Sequence, residues 1–132
     1  IKMSTFRNKW ANFDTTNFPV VNVKFKRNIN NDQEFDQFIK EWLELYERKE
    51  DFVFNFDTTE VGYVSIRYCY KMATFIKNLK KDYPIQYLKE STIQVSNIYI
   101  KGLLKFIFYL QEPVCPIFIT KKTNKSVNKN VA

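Results

Sequence analysis

The spacing of apolar residues alternates along this chain between a period of two and a period near 3.6, and that alternation limits the fold more than any other feature. From Val20 to Lys26, Val21, Val23 and Phe25 alternate with Asn22, Lys24 and Lys26. This is the pattern of a strand with one buried face, and it starts directly after Pro19. Asn31 with Glu34 three residues on has the form of a capping box and opens a helix. In that helix Phe35, Phe38, Ile39, Trp42 and Tyr46 form the apolar stripe, Lys40, Glu41, Glu44 and Glu47 lie opposite, and the end is expected near Lys49.

Phe52 to Phe56 is a short, aromatic-rich run ending at Asp57, as expected of a central strand covered on both faces. After a loop through Gly62, a second helix from Val64 to Lys80 places Ile66, Cys69, Met72, Ala73, Ile76 and Leu79 on one side. Pro84 closes that region, and Thr92 to Val95 reads as a third strand. Asn97 is placed to cap a third helix, with Ile100, Leu103, Leu104, Ile107 and Phe108 as its stripe up to Leu110. Pro113 and Pro116 then frame a turn into a last strand, Ile117 to Ile119.

The order β-α-β-α-β-α-β predicts an α/β fold: a single layered domain on a mainly parallel sheet of four to five strands joined by right-handed crossovers. The chain has 132 residues, 45% of them hydrophobic, which is one core and no more. Residues 1–19, with the irregular aromatics Phe6, Trp10, Phe13 and Phe18, read as an arm or an edge strand. Residues 20–120 form the α/β domain, and 121–132 read as a basic, disordered tail.

Composition removes several chemistries. With no histidine, Ser-His-Asp, Cys-His and His-ligated metal sites are excluded, and two lone cysteines cannot build a thiolate zinc site. Cys69 and Cys115 sit in apolar text and read as small core hydrophobes. Two glycines supply no phosphate-cradling loop, so no cofactor and no metal are expected. The greasiest stretch, Ile98 to Leu110, is interrupted by Lys101 and Lys105 and is too short to span a bilayer. The residues Ile1 to Ser4 lack the order of a secretory signal, so a reducing, cytoplasmic setting is expected. The abundance of Asn, Lys, Ile, Phe and Tyr fits an AT-rich genome, such as a parasite's or a large DNA virus's.

Net charge is +7, but Lys121, Lys122, Lys125 and Lys129 supply four of those charges within the last twelve residues. The rest is nearly balanced, so contact with nucleic acid or an anionic surface is expected to be weak and to run through the tail. Aromatic rings could also stack on bases, yet most of them fall on the buried periodicity.

In parallel sheets chemistry gathers beyond the carboxyl ends of the strands, which directs attention to two junctions. The first is Asp57-Thr58-Thr59-Glu60 with Ser65 beyond it, expected as an exposed loop ahead of the second helix. A catalytic reading finds no nucleophile activator there other than Asp57 or Glu60. The structural reading has Asp57 and Thr58 holding the turn and Ser65 capping the helix. The second junction, Ser96-Asn97, holds a helix cap.

The text at those junctions, Phe54-Asn55-Phe56-Asp57-Thr58-Thr59 and Thr92-Ile93-Gln94-Val95-Ser96-Asn97, together with the order of elements from Val20 to Thr120, resembles the STAS-like fold of anti-sigma-factor antagonists and the related CRAL-TRIO lipid-binding fold. The resemblance implies a non-catalytic domain that binds or scaffolds another protein. Its interaction loop is Asp57, Thr58, Thr59 and Ser65, open to phosphorylation, with Ser96 and Asn97 as a second junction. The alternative it carries is a domain that binds a small ligand or lipid between sheet and helices.

Overall fold

The computed structural model describes residues 10–29 and 31–121. Eight elements follow in order: β1 (Ala11–Asp14), β2 (Val20–Ile29), α1 (Asp32–Tyr46), β3 (Phe52–Val64), α2 (Arg67–Asp82), β4 (Leu88–Val95), α3 (Ile98–Leu110) and β5 (Ile117–Lys121). They form an α/β domain on one five-stranded sheet in the order β1-β2-β3-β4-β5. β1 runs antiparallel to β2, and every other pair is parallel. The N-terminal aromatics thus include an edge strand, Ala11–Asp14; Lys121, expected to open the tail, closes β5 instead, and Phe6 and residues 122–132 of the expected tail lie outside the described residues.

Each crossover from β2 to β5 steps to the next strand in the same direction, and right-handed crossovers of that kind put every helix on one face. Side chains agree. Val21, Val23 and Phe25 of β2, Phe52, Phe54 and Phe56 of β3, and Ile93 and Val95 of β4 are buried with Phe35, Phe38 and Trp42 of α1 in one cluster. Rings carry much of it: Trp42 stands edge-on to Phe54 at 4.9 Å between centroids, and Trp10 lies 5.1 Å from Phe25. The apolar residues of opposite parity, Val20, Val53 and Phe118, are missing from that cluster.

β3 was expected to be covered on both faces; among the described residues, helices cover one. Its alternate residues Asn55, Asp57 and Thr59 point the other way, beside Asn22 and Lys24 of β2 and Thr92 and Gln94 of β4. Asn55 Nδ2 donates to Asn22 Oδ1 at 2.9 Å, and Gln94 Nε2 reaches Asn55 Oδ1 at 3.4 Å. An amide row of this kind satisfies its own polar groups on a face that no described helix covers.

The helix ends follow local rules. Asn31 Oδ1 accepts from Glu34 N at 3.1 Å and caps α1, and Asn97 Oδ1 accepts from Ile100 N at 2.9 Å and caps α3. α1 stops at Tyr46, short of Lys49, which has φ 57 in the left-handed region. The Tyr46 hydroxyl, buried behind α1, donates to Gln86 Oε1 at 2.6 Å, and Gln86 Nε2 donates to the carbonyls of Leu79 and Tyr83. Those bonds tie the end of α1 to the connection between α2 and β4.

Candidate functional site

The first junction is a strand and not the loop expected. β3 runs on through Asp57, Thr58 and Thr59 to Val64, because its ladder with β2 continues past two register shifts, pairing Lys24 with Asp57, Lys26 with Glu60 and Ile29 with Val64. Thr58 continues the inward parity of Phe52, Phe54 and Phe56. Its hydroxyl donates to Gln94 O at 2.7 Å, so a polar residue fits a buried position at 8% exposure. Asp57 and Thr59 face the open side. There Asp57 Oδ1 accepts from Thr59 N at 2.9 Å and from Thr59 Oγ1 at 2.6 Å. The expected single loop is therefore split across the two faces of the sheet.

Ser65 lies between β3 and α2, but the N-cap of α2 is Ile66, and no side chain caps that end. The expected Ser65 cap is absent because β3 runs on to Val64, where the sequence pattern ended it at Phe56, and α2 starts at Arg67 rather than Val64. Only the Ser65 backbone takes part, its carbonyl accepting from Tyr68 N at 3.0 Å. The first turn of α2 is held by α1 instead. Arg67 Nη2 and the Tyr68 hydroxyl both donate to Asp32 Oδ1 at 2.8 Å. The hydrogen bond from Tyr68, then that from Arg67, hold the Asp32 carboxyl below its ordinary range.

The structure brings the two junctions together. Besides the bond from Thr58 to Gln94 O, Ser96 Oγ donates to Thr59 O at 3.3 Å, and the Tyr99 hydroxyl donates to Val64 O at 3.2 Å and accepts from Val64 N at 3.4 Å. Asn97 performs the capping role expected of it. Lys24 and Glu60 pair on the open side at 2.9 Å, the hydrogen bond to Glu60 raising the lysine's pKa.

Around these bonds lies a feature the sequence pattern did not single out. Of ten large apolar side chains exposed among the described residues, Tyr63, Ile66, Tyr70, Ile98 and Tyr99 gather where β3 ends and α2 and α3 begin. Ile66 had been expected in the buried stripe of the second helix; as the cap of α2 it is 54% exposed. Ile98 and Tyr99 fall off the stripe that starts at Ile100, and Tyr63 is out of phase with Phe52, Phe54, Phe56 and Thr58, beyond the register shift that turns Val61 inward. Apolar residues out of phase with a buried face were the available signal.

Because the strand order never reverses among β2 to β5, no switch-point crevice opens between neighbouring crossovers. The carboxyl end of the sheet is an apolar rim rather than a cleft lined with acids. Among the described residues no group of three or more His, Cys, Asp or Glu is placed to hold a metal, and no helix is long and apolar enough to cross a membrane. Burial pushes the thiols of Cys69 and Cys115 up, so both stay protonated at neutral pH.

No protein-family model, curated protein or solved structure matches this chain.

Proposed function

We propose that this domain is a non-catalytic protein-interaction module of STAS-like type whose partner seats on the rim formed by Tyr63, Ile66, Tyr70, Ile98 and Tyr99. The observation that carries the reading is the gathering of half of the exposed large apolar side chains at the carboxyl end of the sheet. Tyrosine supplies apolar area and a hydrogen-bonding tip together, and such residues are enriched where proteins meet. The alternation of strand and helix, and the contact between the two junctions, support the STAS-like part of the reading.

The geometry also sorts the hydroxyls that could regulate such a surface. Thr58 is buried and engaged, and a phosphate on Thr59 would stand against the Asp57 carboxylate that its hydroxyl now contacts at 2.6 Å. Ser65, beside Arg67 and the first turn of α2, is where a phosphate would meet favourable charge.

The test is capture from native extract with mass spectrometry, repeated with Ile66→Asp/Ile98→Asp. Ile85→Asp serves as the control, since Ile85 is 61% exposed just ahead of β4, at the opposite end of the sheet. A partner held by wild type and by the Ile85 variant but lost by the rim variant supports the reading. Retention of every partner by a folded rim variant rejects it.

A further inference from the structure

A cavity of about 150 Å³ lies between the sheet and the helix layer. Cys69, Met72 and Ile76 of α2 and Leu103, Leu104 and Ile107 of α3 wall it, over a floor of sheet residues. None of its lining residues is charged. The hydroxyls on its wall are engaged: Thr58 on Gln94 O, Tyr68 on Asp32, and Ser91 beside Cys115 Sγ at 3.7 Å.

Protein interiors pack like organic crystals, and voids larger than a water molecule are few, so a cavity of this size has a structural cause. Here the cause is α3. The helix is apolar nearly throughout, yet only Ile100 of its stripe is buried; Leu103, Leu104, Ile107 and Phe108 are all half-buried. α3 stands off from the sheet. The half-buried walls concentrate on α3 and on Val114, Cys115 and Ile117, whereas Trp42, Phe56 and Ile93 behind them are buried, so the cavity meets solvent on the α3 side.

We propose that this cavity is a binding site for the uncharged hydrocarbon part of a small ligand, an aromatic ring or a short alkyl chain, admitted beneath α3. A charged group inside it would find no counter-charge on a wall whose groups are all uncharged, the unpartnered indole N–H of Trp42 among them, and burying a charge uncompensated is costly. Water gains little there too, since a buried water needs about two to four polar partners and the hydroxyls on the wall are already engaged: an apolar cavity of roughly 150 Å³ stays dry and takes up benzene or xenon. The site does not depend on the protein-binding rim, and either proposal can fail alone.

Met72 provides a probe, since the chain has only two methionines and this one lines the cavity. Benzene is titrated into the full chain carrying 13C-methyl methionine, with the Met72 signal assigned by Met72→Leu. The expected result is a saturable shift of that signal and a melting temperature that rises with benzene concentration. Leu104→Phe, which places a ring in the space, should remove both responses. Octanoate separates two sources of the same chemistry: tighter binding than benzene marks a chain whose polar head stays at the α3 mouth, and binding of benzene alone marks a free apolar molecule. The proposal is overturned if benzene near its aqueous solubility gives neither response, or if a folded Leu104→Phe binds as wild type does. Should that variant not fold, wild-type crystals under xenon decide: density among Cys69, Met72 and Leu104 supports the site, and its absence there rejects it.

Discussion

Thr58 shows how one side chain can mislead and then explain. Its hydroxyl reads as loop chemistry, but at 8% exposure it satisfies a strand carbonyl, Gln94 O, at 2.7 Å. Thr58→Val keeps the shape and loses that bond, and should cost about 1 kcal/mol. Thr58→Asp forces a carboxylate into the helix-facing layer and should cost several times as much, or prevent folding. Urea titration of both checks the order, and an Asp variant as stable as wild type would return Thr58 to the surface. Trp42, edge-on to Phe54 and Phe75, is 5% exposed, so Trp42→Ala should lose about 3–5 kcal/mol. A melting temperature equal to wild type would remove it from the core. Tyr46 adds a pH test. Burial raises its hydroxyl well above the ordinary range, so the folded chain keeps a proton that the unfolded chain gives up above about pH 10. That contribution is whole below the unfolded value and is lost progressively as pH rises from there toward the raised folded value. Tyr46→Phe removes the hydroxyl's bond to Gln86 and should be less stable than wild type at pH 7, and with no hydroxyl to titrate it should lose less stability between pH 9 and 11. Parallel pH profiles for the two would show that the hydroxyl titrates freely in the fold.

Among the elements, legibility tracked how much of the pattern is local. Both asparagine caps were readable because a cap needs only a side chain and an amide three residues on, and Asn31 and Asn97 sit as the spacing implied. Asn31→Ala and Asn97→Ala should each cost about 1 kcal/mol, with Gly in either place nearer neutral. Thermal melts of the four variants check this, and an Ala variant equal to wild type would mean that its helix end is held by packing. The ends of β3 and β4 were less legible. β3 gains Asp57 to Val64 through a ladder with β2 that includes register shifts, and β4 begins at Leu88, where Lys89 and Glu90 mask the pattern of Leu88 and Ser91. Pairing across distant sequence decides such ends, and one strand's text does not contain it. For the candidate site, the two junctions were legible as places. Their burial and their apolar surroundings were not, because Tyr63, Ile66 and Ile98 gain meaning only once neighbouring ends are brought together.

At the scale of the whole fold, the governing fact among the described residues is a mostly parallel sheet with its helices on one side. Parallel sheets are usually covered on both faces, and strands of that kind are apolar throughout. Here the strands keep polar residues on the uncovered face, from Asn22 and Lys24 through Asn55 and Asp57 to Thr92 and Gln94, and apolar residues on the other. The steady order of the sheet and the alternating text of its strands are two descriptions of one architecture. It makes neighbouring residues of β4 respond oppositely to the same change. Thr92 is half-buried on the uncovered face, where a lysine stem can lie along the sheet and carry its charge to water. Ile93, at 4% exposure, points into the helix layer, where the same ammonium would be stranded without a counter-charge. Thr92→Lys should stay within about 0.5 kcal/mol of wild type, and Ile93→Lys should abolish cooperative folding. Circular dichroism melts of the two proteins decide between the faces. If Thr92→Lys unfolds the chain as Ile93→Lys does, a further layer covers that face and the two-layer architecture is incomplete.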